Sequence, residues 1–241
     1  MKSVVDQPYW DNTYRNYELQ YDESLILFKD LFQKYLQING KCIEIGCYPG
    51  NYLIYLGKTF NYEVSGIDIT PYIERLDPYF QKNEVKIGKL FLEDFLTFST
   101  NEKYDVVCSF GFIEHFKNID EIIDKHISLL KTSGICIISS PNFRKIQFIL
   151  HNLLDKQNMD RHVTASMDLN KWKEVLEQND MEIIHSGYYK TASFWTDSSN
   201  QNLLQKYCSK IISSIFAYIN KHIDYPNRYI SPHMICISRK K

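Results

Sequence analysis

Acidic residues and glycines recur at the ends of short β-branched runs, and their spacing marks where chemistry would sit. The run Cys42-Ile43-Glu44-Ile45-Gly46 passes directly into Cys47-Tyr48-Pro49-Gly50 and then into Asn51-Tyr52-Leu53-Ile54-Tyr55-Leu56. This reads as strand, glycine turn and helix start, the place where an open α/β sheet binds ligands beyond the carboxyl ends of its strands. The pattern is E-x-G-x-x-x-G, with Tyr48 where a middle glycine would stand. A dinucleotide pyrophosphate needs a closely approached row of bare backbone N–H groups, so Tyr48 argues against one. A second run ends Ser65-Gly66-Ile67-Asp68-Ile69, putting a carboxylate, with Ile69 beside it, where it accepts from both hydroxyls of a ribose. A third ends Leu92-Glu93-Asp94-Phe95, an acid suited to an exocyclic amine next to an aromatic ring. The fourth, Tyr104 to Phe110, continues into Gly111-Phe112-Ile113-Glu114-His115-Phe116.

Candidates for proton transfer are fewer. His162, in Met159-Asp160-Arg161-His162-Val163, has the imidazole chemistry of a general base, and a surface-loop histidine is an equally good reading. Glu114 and His115 follow the fourth run and are expected to shape a pocket or cap the next helix. The six cysteines include no C-x-x-C pair, and four of them (Cys42, Cys108, Cys136, Cys236) fall in runs that read as buried strands. Reduced core thiols are expected, with no disulfide framework and no metal site.

These residues need a scaffold, and the alternation of short β-branched runs with longer amphipathic ones implies βα units and a parallel sheet. Strands are expected at Lys41–Gly46, Tyr62–Ile69, Val85–Leu92, Tyr104–Phe110, Gly134–Ser140, Met181–Tyr189 and His233–Arg239. Helices are expected at about 22–38, 51–60, 71–81, 119–131 and 168–179, the last capped by Asp168. No repeat or linker divides the chain, so residues 1–241 are read as a single domain. Its additions are an aromatic N-terminal cap (1–39, with Tyr9, Trp10, Tyr14, Tyr17 and Tyr21), a helical piece at 143–156, and a helical insertion at 196–231 before the last strand. In the insertion Leu204, Tyr207, Ile211, Ile215, Tyr218 and His222 form one apolar face, expected to pack over the body of the domain. A peripheral membrane contact by residues 203–222, a lid role and a homodimer contact are the rival readings of that face.

Composition excludes several classes. The chain has 241 residues, 44% hydrophobic and 24% charged, so collagenous and disordered classes are out. With 28 basic and 29 acidic residues the net charge of −1 gives no field for gathering nucleic acid, and no nucleic-acid partner is expected. Neither a signal-peptide core nor an apolar run of membrane-spanning length is present, so a cytoplasmic location is expected. Tyrosine is abundant, 18 residues, and a side chain with an apolar body and a polar tip suits a wet cleft.

Over about residues 40–190 the chain resembles the class I S-adenosylmethionine-dependent methyltransferases, particularly small-molecule and sugar methyltransferases whose fourth strand reads F-D-V-V followed by E-H. The resemblance implies a Rossmann-like α/β fold, a seven-stranded, mostly parallel sheet in the order 3-2-1-4-5-7-6 with helices on both faces. It implies S-adenosylmethionine as cofactor, with Glu44, Gly46, Tyr48 and Gly50 at its methionine end, Asp68 and Ile69 at the ribose, and Asp94 and Phe95 at the adenine. Ser109, Phe110 and Gly111 would flank the sulfonium, with Trp10 and Tyr14 closing over it. The segment holding His162 lies at the acceptor mouth in related enzymes. Some relatives bind a divalent metal through E-x-x-E-H, but Gly111 stands where the first glutamate would be, and no metal is expected. Nucleic-acid amino methyltransferases carry an N-P-P-Y type loop, where this chain reads Ser109-Phe110-Gly111-Phe112.

The implied reaction is methyl transfer to a small-molecule or glycan-precursor acceptor, at oxygen in preference to nitrogen. A sulfonium is already an activated electrophile, so alignment and removal of one proton suffice. The rival readings are a catalytically inactive methyltransferase-like binding partner, against which Glu44, Asp68 and Asp94 count, and a nicotinamide oxidoreductase, against which the missing G-x-G-x-x-G counts.

Overall fold

The computed structural model describes residues 2–197, 199 and 201–241. Its centre is one seven-stranded sheet: β1 (Gly40–Ile45), β2 (Tyr62–Asp68), β3 (Ile87–Leu92), β4 (Tyr104–Phe110), β5 (Leu130–Pro141), β6 (Met181–Tyr189) and β7 (His233–Lys240). The spatial order is β3-β2-β1-β4-β5-β7-β6. Strands β1 to β5 are parallel, and β7 runs antiparallel between β5 and β6. The strand order therefore reverses between β1 and β4, and a crevice opens there beyond the strand ends.

Both faces of the sheet are covered, which is why its inner strands are apolar almost throughout. Alternate residues feed two cores. Ile43, Ile45, Val107 and Ile138 point to one side, against α5 (Ile119–Ser128) and α8 (Leu169–Gln178). Cys42, Val106, Cys108 and Ile137 point to the other, against α2 (Lys29–Tyr35), α3 (Asn51–Phe60) and α4 (Leu76–Lys82). Asp168 caps α8 as its position in the sequence indicates, its side chain accepting from Asn170 N at 3.0 Å. All six cysteines are free thiols.

Several boundaries differ from the periodicity. The helix expected at 22–38 is a 3-10 turn, Glu23–Leu25, followed by the shorter α2. Phe28 takes a left-handed φ of 62° between them while its ring is buried. The helix expected at 71–81 is also split, into a 3-10 segment Pro71–Arg75 and α4, because Pro78 lacks the N–H that a continuous helix would use. β5 starts at Leu130, before the expected Gly134, and its register jumps from Tyr104↔Leu130 to Val106↔Ile135, with Ser133 left-handed at φ 63° inside the jump.

Four further helices supply the surroundings of the crevice: α1 (Gln7–Tyr14), α6 (Ile146–Leu154), α7 (Lys156–Met159) and α9 (Leu203–His222). Here one expectation is overturned. The apolar stripe of α9 does not pack on the body, since Leu204, Tyr207 and Tyr218 are 71%, 64% and 68% exposed and Ile211 and Ile215 are also exposed. The inward face is a mixed one, with half-buried Ile212, Phe216 and Ile219 beside small and polar side chains. Ser209 is buried, the Ser213 hydroxyl donates to the Phe194 carbonyl, Asn220 Oδ1 accepts from Thr191 N, and Phe216 meets the Phe194 ring. Directed hydrogen bonds to the strand-flanking segment 191–194 orient this helix together with half-buried Ile212, Phe216 and Ile219, and the stripe from Leu204 to Tyr218 is left outward.

Candidate functional site

A cavity of about 320 Å³ opens at the carboxyl ends of β1, β2 and β4, in the crevice where the strand order reverses. Gly46, Tyr48, Asp68, Ile69, Asp94, Phe95, Phe110, Gly111, Trp10 and Tyr14, each expected from the sequence, all line it. Four expected residues do not. Gly50 caps α3 from behind and lies against Phe80. Ser109 turns its hydroxyl to His126 Nε2 at 3.0 Å. Glu44 is buried beneath the loop, and His162 stands outside the lining.

The floor follows from the turn after β1. Gly46 has φ 70°, and a Cβ placed there would sit 2.8 Å from the Phe112 ring, so only glycine lets the loop approach the β4 exit this closely. Tyr48 fills the position of a middle glycine without blocking the cavity. Its backbone N–H donates to Asp68 Oδ2 at 2.9 Å, and its buried ring lies 4.7 Å from Tyr14. Asp68 Oδ1 accepts from Thr70 N at 3.0 Å, so the carboxylate is clamped by backbone on both oxygens, each of which keeps further acceptor capacity. Burial nonetheless holds Asp68 above the ordinary aspartate range. Glu44 is pushed up further, by burial first and then by the Asp68 charge, and its Oε2 has no partner among the described residues. A buried acidic pair of this kind is suited to a ligand that brings hydroxyl or ammonium donors.

The walls and roof are aromatic. Phe95 is buried edge-on to Phe112 and His126, and Phe110 stacks on Tyr52 with centroids 3.8 Å apart. Asp94, at the rim, caps its own turn by accepting from Leu96 N. The roof is α1, opened by Asp6, whose side chain accepts from Tyr9 N. Val4 N donates to the His115 carbonyl, Gln7 Nε2 to the Ile69 carbonyl, and the Thr70 hydroxyl to Asp11. These bonds bring Trp10 over the opening, stacked on Tyr14 and edge-on to His115 at 5.3 Å.

Behind His115 lies a group that no single stretch of sequence displays. Glu114, His115 and His162 each bring one ligand-capable atom within 4.8 Å of the others. His115 Nδ1 is 2.9 Å from the Arg161 carbonyl and His162 Nδ1 is 2.7 Å from the Asn158 carbonyl. A carbonyl only accepts, so each Nδ1 carries a proton and donates it, which leaves each Nε2 bare while the ring is neutral. Burial keeps both rings neutral, pushing His115 down to about 4 and His162, with His115 adding to the effect, down to about 3. Burial pushes the Glu114 carboxyl up to about 8, and its Oε2 has no partner among the described residues. Two bare imidazole nitrogens and one carboxylate, with both rings oriented by backbone carbonyls, are a donor set able to hold a proton or a divalent cation. The sequence pointed away from a metal because Gly111 stands in place of a glutamate. The third donor comes instead from His162, delivered by the turn after α7, where Val163 N donates to the Glu114 carbonyl at 2.7 Å.

Comparison with known proteins bears on the family and the fold. The chain is 32% identical over 109 residues to a Rickettsia typhi protein named ubiquinone biosynthesis O-methyltransferase, a match covering 44% of this chain and 43% of that protein. The chain thus spans under half the length of the curated relatives it matches. Among solved structures, a Bacillus halodurans protein described as a methyltransferase superposes with a TM-score of 0.63 at 17% identity, covering 88% of this chain and 97% of that one. The Bradyrhizobium japonicum N-methyltransferase NodS, solved with S-adenosyl-L-homocysteine, gives 0.50 at 13%, covering 87% and 81%. At those identities the likeness is one of fold. The Methyltransferase domain family profile matches residues 15–186, from the end of the roof through every parallel strand and into β6, and the chain belongs to that family.

Proposed function

We propose that the protein is an S-adenosylmethionine-dependent O-methyltransferase acting on a small hydroxylated acceptor. The observation that carries this reading is the adjacency of two chemically different halves: a clamped carboxylate floor, and the Glu114–His115–His162 group on the far side of Trp10. The cofactor, when bound, supplies a methyl group already activated on a sulfonium. Asp68, with Ile69 beside it, accepts from the ribose hydroxyls, and Asp94 with Phe95 receives the adenine. The Gly46 turn, above the buried Glu44, holds the methionine end. Phe110 and Tyr14, both lining the cavity, set aromatic rings beside the positive charge and exclude water. The bare Nε2 of His115 or His162 takes the acceptor hydroxyl's proton; a divalent cation held instead by Glu114, His115 and His162 would acidify that hydroxyl and leave its proton to solvent. The name of the Rickettsia relatives, O-methyltransferases of ubiquinone biosynthesis, supports oxygen as the site of transfer and a small aromatic ring as the acceptor class.

The test is binding followed by turnover. Calorimetry with S-adenosylhomocysteine and with NAD should give binding of the first alone. Transfer of labelled methyl from S-adenosylmethionine to catechols but not to matched aryl amines should follow. Stabilisation by NAD alone, or transfer restricted to amines, would overturn the proposal.

A further inference from the structure

The orientation of α9 leaves an outward apolar face that none of the described residues covers. At about 1.5 Å per residue this 20-residue helix is about 30 Å long, and its stripe of Leu204, Tyr207, Ile211, Ile215 and Tyr218 runs most of that length. Gln205 Nε2 donates to the Leu153 carbonyl at 3.2 Å, which sets α6 alongside, and α6 adds exposed Phe148, Ile149 and Leu153. No helix among the described residues is long and apolar enough to cross a membrane, so this face can lie upon an apolar phase without spanning it.

Charge decides what the face meets. The sequence as a whole is balanced, with 28 basic and 29 acidic residues, yet α6 and α9 contain no aspartate or glutamate. Lys206, Lys210 and Lys221 form a row beside the stripe, and Lys145 stands at the start of α6. Some lysines elsewhere are neutralised, as Lys41 is by Glu63 and Glu102, whereas among the described residues none of these four makes an ion pair. A second copy of the chain would have to be self-complementary here, and a two-fold contact through α9 would set lysine rows together with no carboxylate to meet them. An apolar stripe with tyrosines along it and an unneutralised lysine row beside it matches the acyl and headgroup layers of an anionic bilayer.

We propose that α9, with α6 beside it, docks the protein in the plane of an anionic lipid surface. The inner side of α6 connects this face with the acceptor side of the site: the His151 ring lies tilted against Phe143 with centroids 4.0 Å apart, and Phe143 lies 4.8 Å from His162. Docking would therefore hold the acceptor mouth against the layer in which an apolar acceptor dissolves. Lipid binding itself does not depend on the identity of the reaction.

The experiment is flotation of the full chain with vesicles of phosphatidylcholine alone and of phosphatidylcholine mixed equally with phosphatidylglycerol, at low and high salt. The expected result is binding to the mixed vesicles only, weakened by salt. The double variant Lys206→Glu/Lys210→Glu should weaken it at least about tenfold, and Leu204→Gln/Ile211→Gln should abolish it. Both variants should keep the wild-type melting temperature and S-adenosylhomocysteine affinity. The proposal is overturned if the wild-type chain leaves mixed vesicles unbound, or if neither variant changes binding. It is also overturned if light scattering finds a dimer that Leu204→Gln/Ile211→Gln dissociates while vesicles go unbound, since a second copy then covers the face.

Discussion

Replacing Glu114 by glutamine tests whether the group beside the cavity is an uncompensated buried acid. An ordinary glutamate titrates near 4.5, whereas burial pushes Glu114 up to about 8 in the folded chain. Between those values the folded protein keeps a proton that the unfolded chain has released, so stability falls as pH rises through the window and levels off above it. Each pH unit of separation corresponds to about 1.4 kcal/mol, which makes the fall on the order of 5 kcal/mol across the window. The assay is urea unfolding of chelator-treated wild type and Glu114→Gln at steps from about pH 5 to pH 8. Other groups titrate equally in both proteins, so the difference between the two curves isolates Glu114. It should decline steadily over the window, with the variant gaining on the wild type. Parallel curves would refute the reasoning, because they would mean that Glu114 is ionised in the fold and has a cationic partner. Repeating the series with manganese reads the donor set directly: a wild-type curve that flattens while the variant's does not is the signature of a cation held by Glu114, His115 and His162.

Three other outcomes are expected. Asp68→Asn should weaken S-adenosylhomocysteine binding about 10- to 100-fold, through loss of charge-assisted hydrogen bonds worth about 1.5–3 kcal/mol each, as measured by calorimetry. Because burial raises Asp68, wild-type affinity should fall with decreasing pH at a higher pH than an ordinary aspartate would give, and the variant should lose that dependence. Gly46→Ala should cost about 1–3 kcal/mol in denaturant stability and abolish cofactor binding, since its Cβ would lie 2.8 Å from Phe112 in a left-handed backbone. His162→Ala should reduce turnover by a factor of about 100 or more while leaving cofactor affinity within about twofold, and an unchanged rate would remove it from proton transfer.

The strands and the cavity floor were legible in the sequence because both depend on local chemistry: β-branched runs, a glycine turn, and one acid at the tip of each of two strands; the strand order, which no local pattern fixes, came from the resemblance to the methyltransferases. The helix boundaries were less so. Phe28 is buried in a left-handed conformation for reasons of tertiary packing, and nothing in the pattern around it announces a break. Periodicity identified the stripe on α9 but could not say which side meets the protein, because Ile212, Phe216 and Ile219 form a second apolar arc beside it and the anchoring Ser209 and Ser213 carry no hydrophobic signal. The Glu114–His115–His162 group was half visible. His162 joins it only through the fold of α7 and the turn after it, and that approach leaves no spacing in the chain.

The roof over the cavity has a kinetic consequence. It is held by a few bonds that reach from residues 4–11 to His115, Ile69 and Thr70, several of them at the surface. Ligand exchange then becomes a gated event, in which these bonds break together before anything the size of a nucleoside can leave. Residence time would be set by the opening of α1 as much as by affinity. Substitutions in α1 that leave the equilibrium constant nearly unchanged could still quicken both arrival and departure, and stopped-flow measurement would register a change that calorimetry does not.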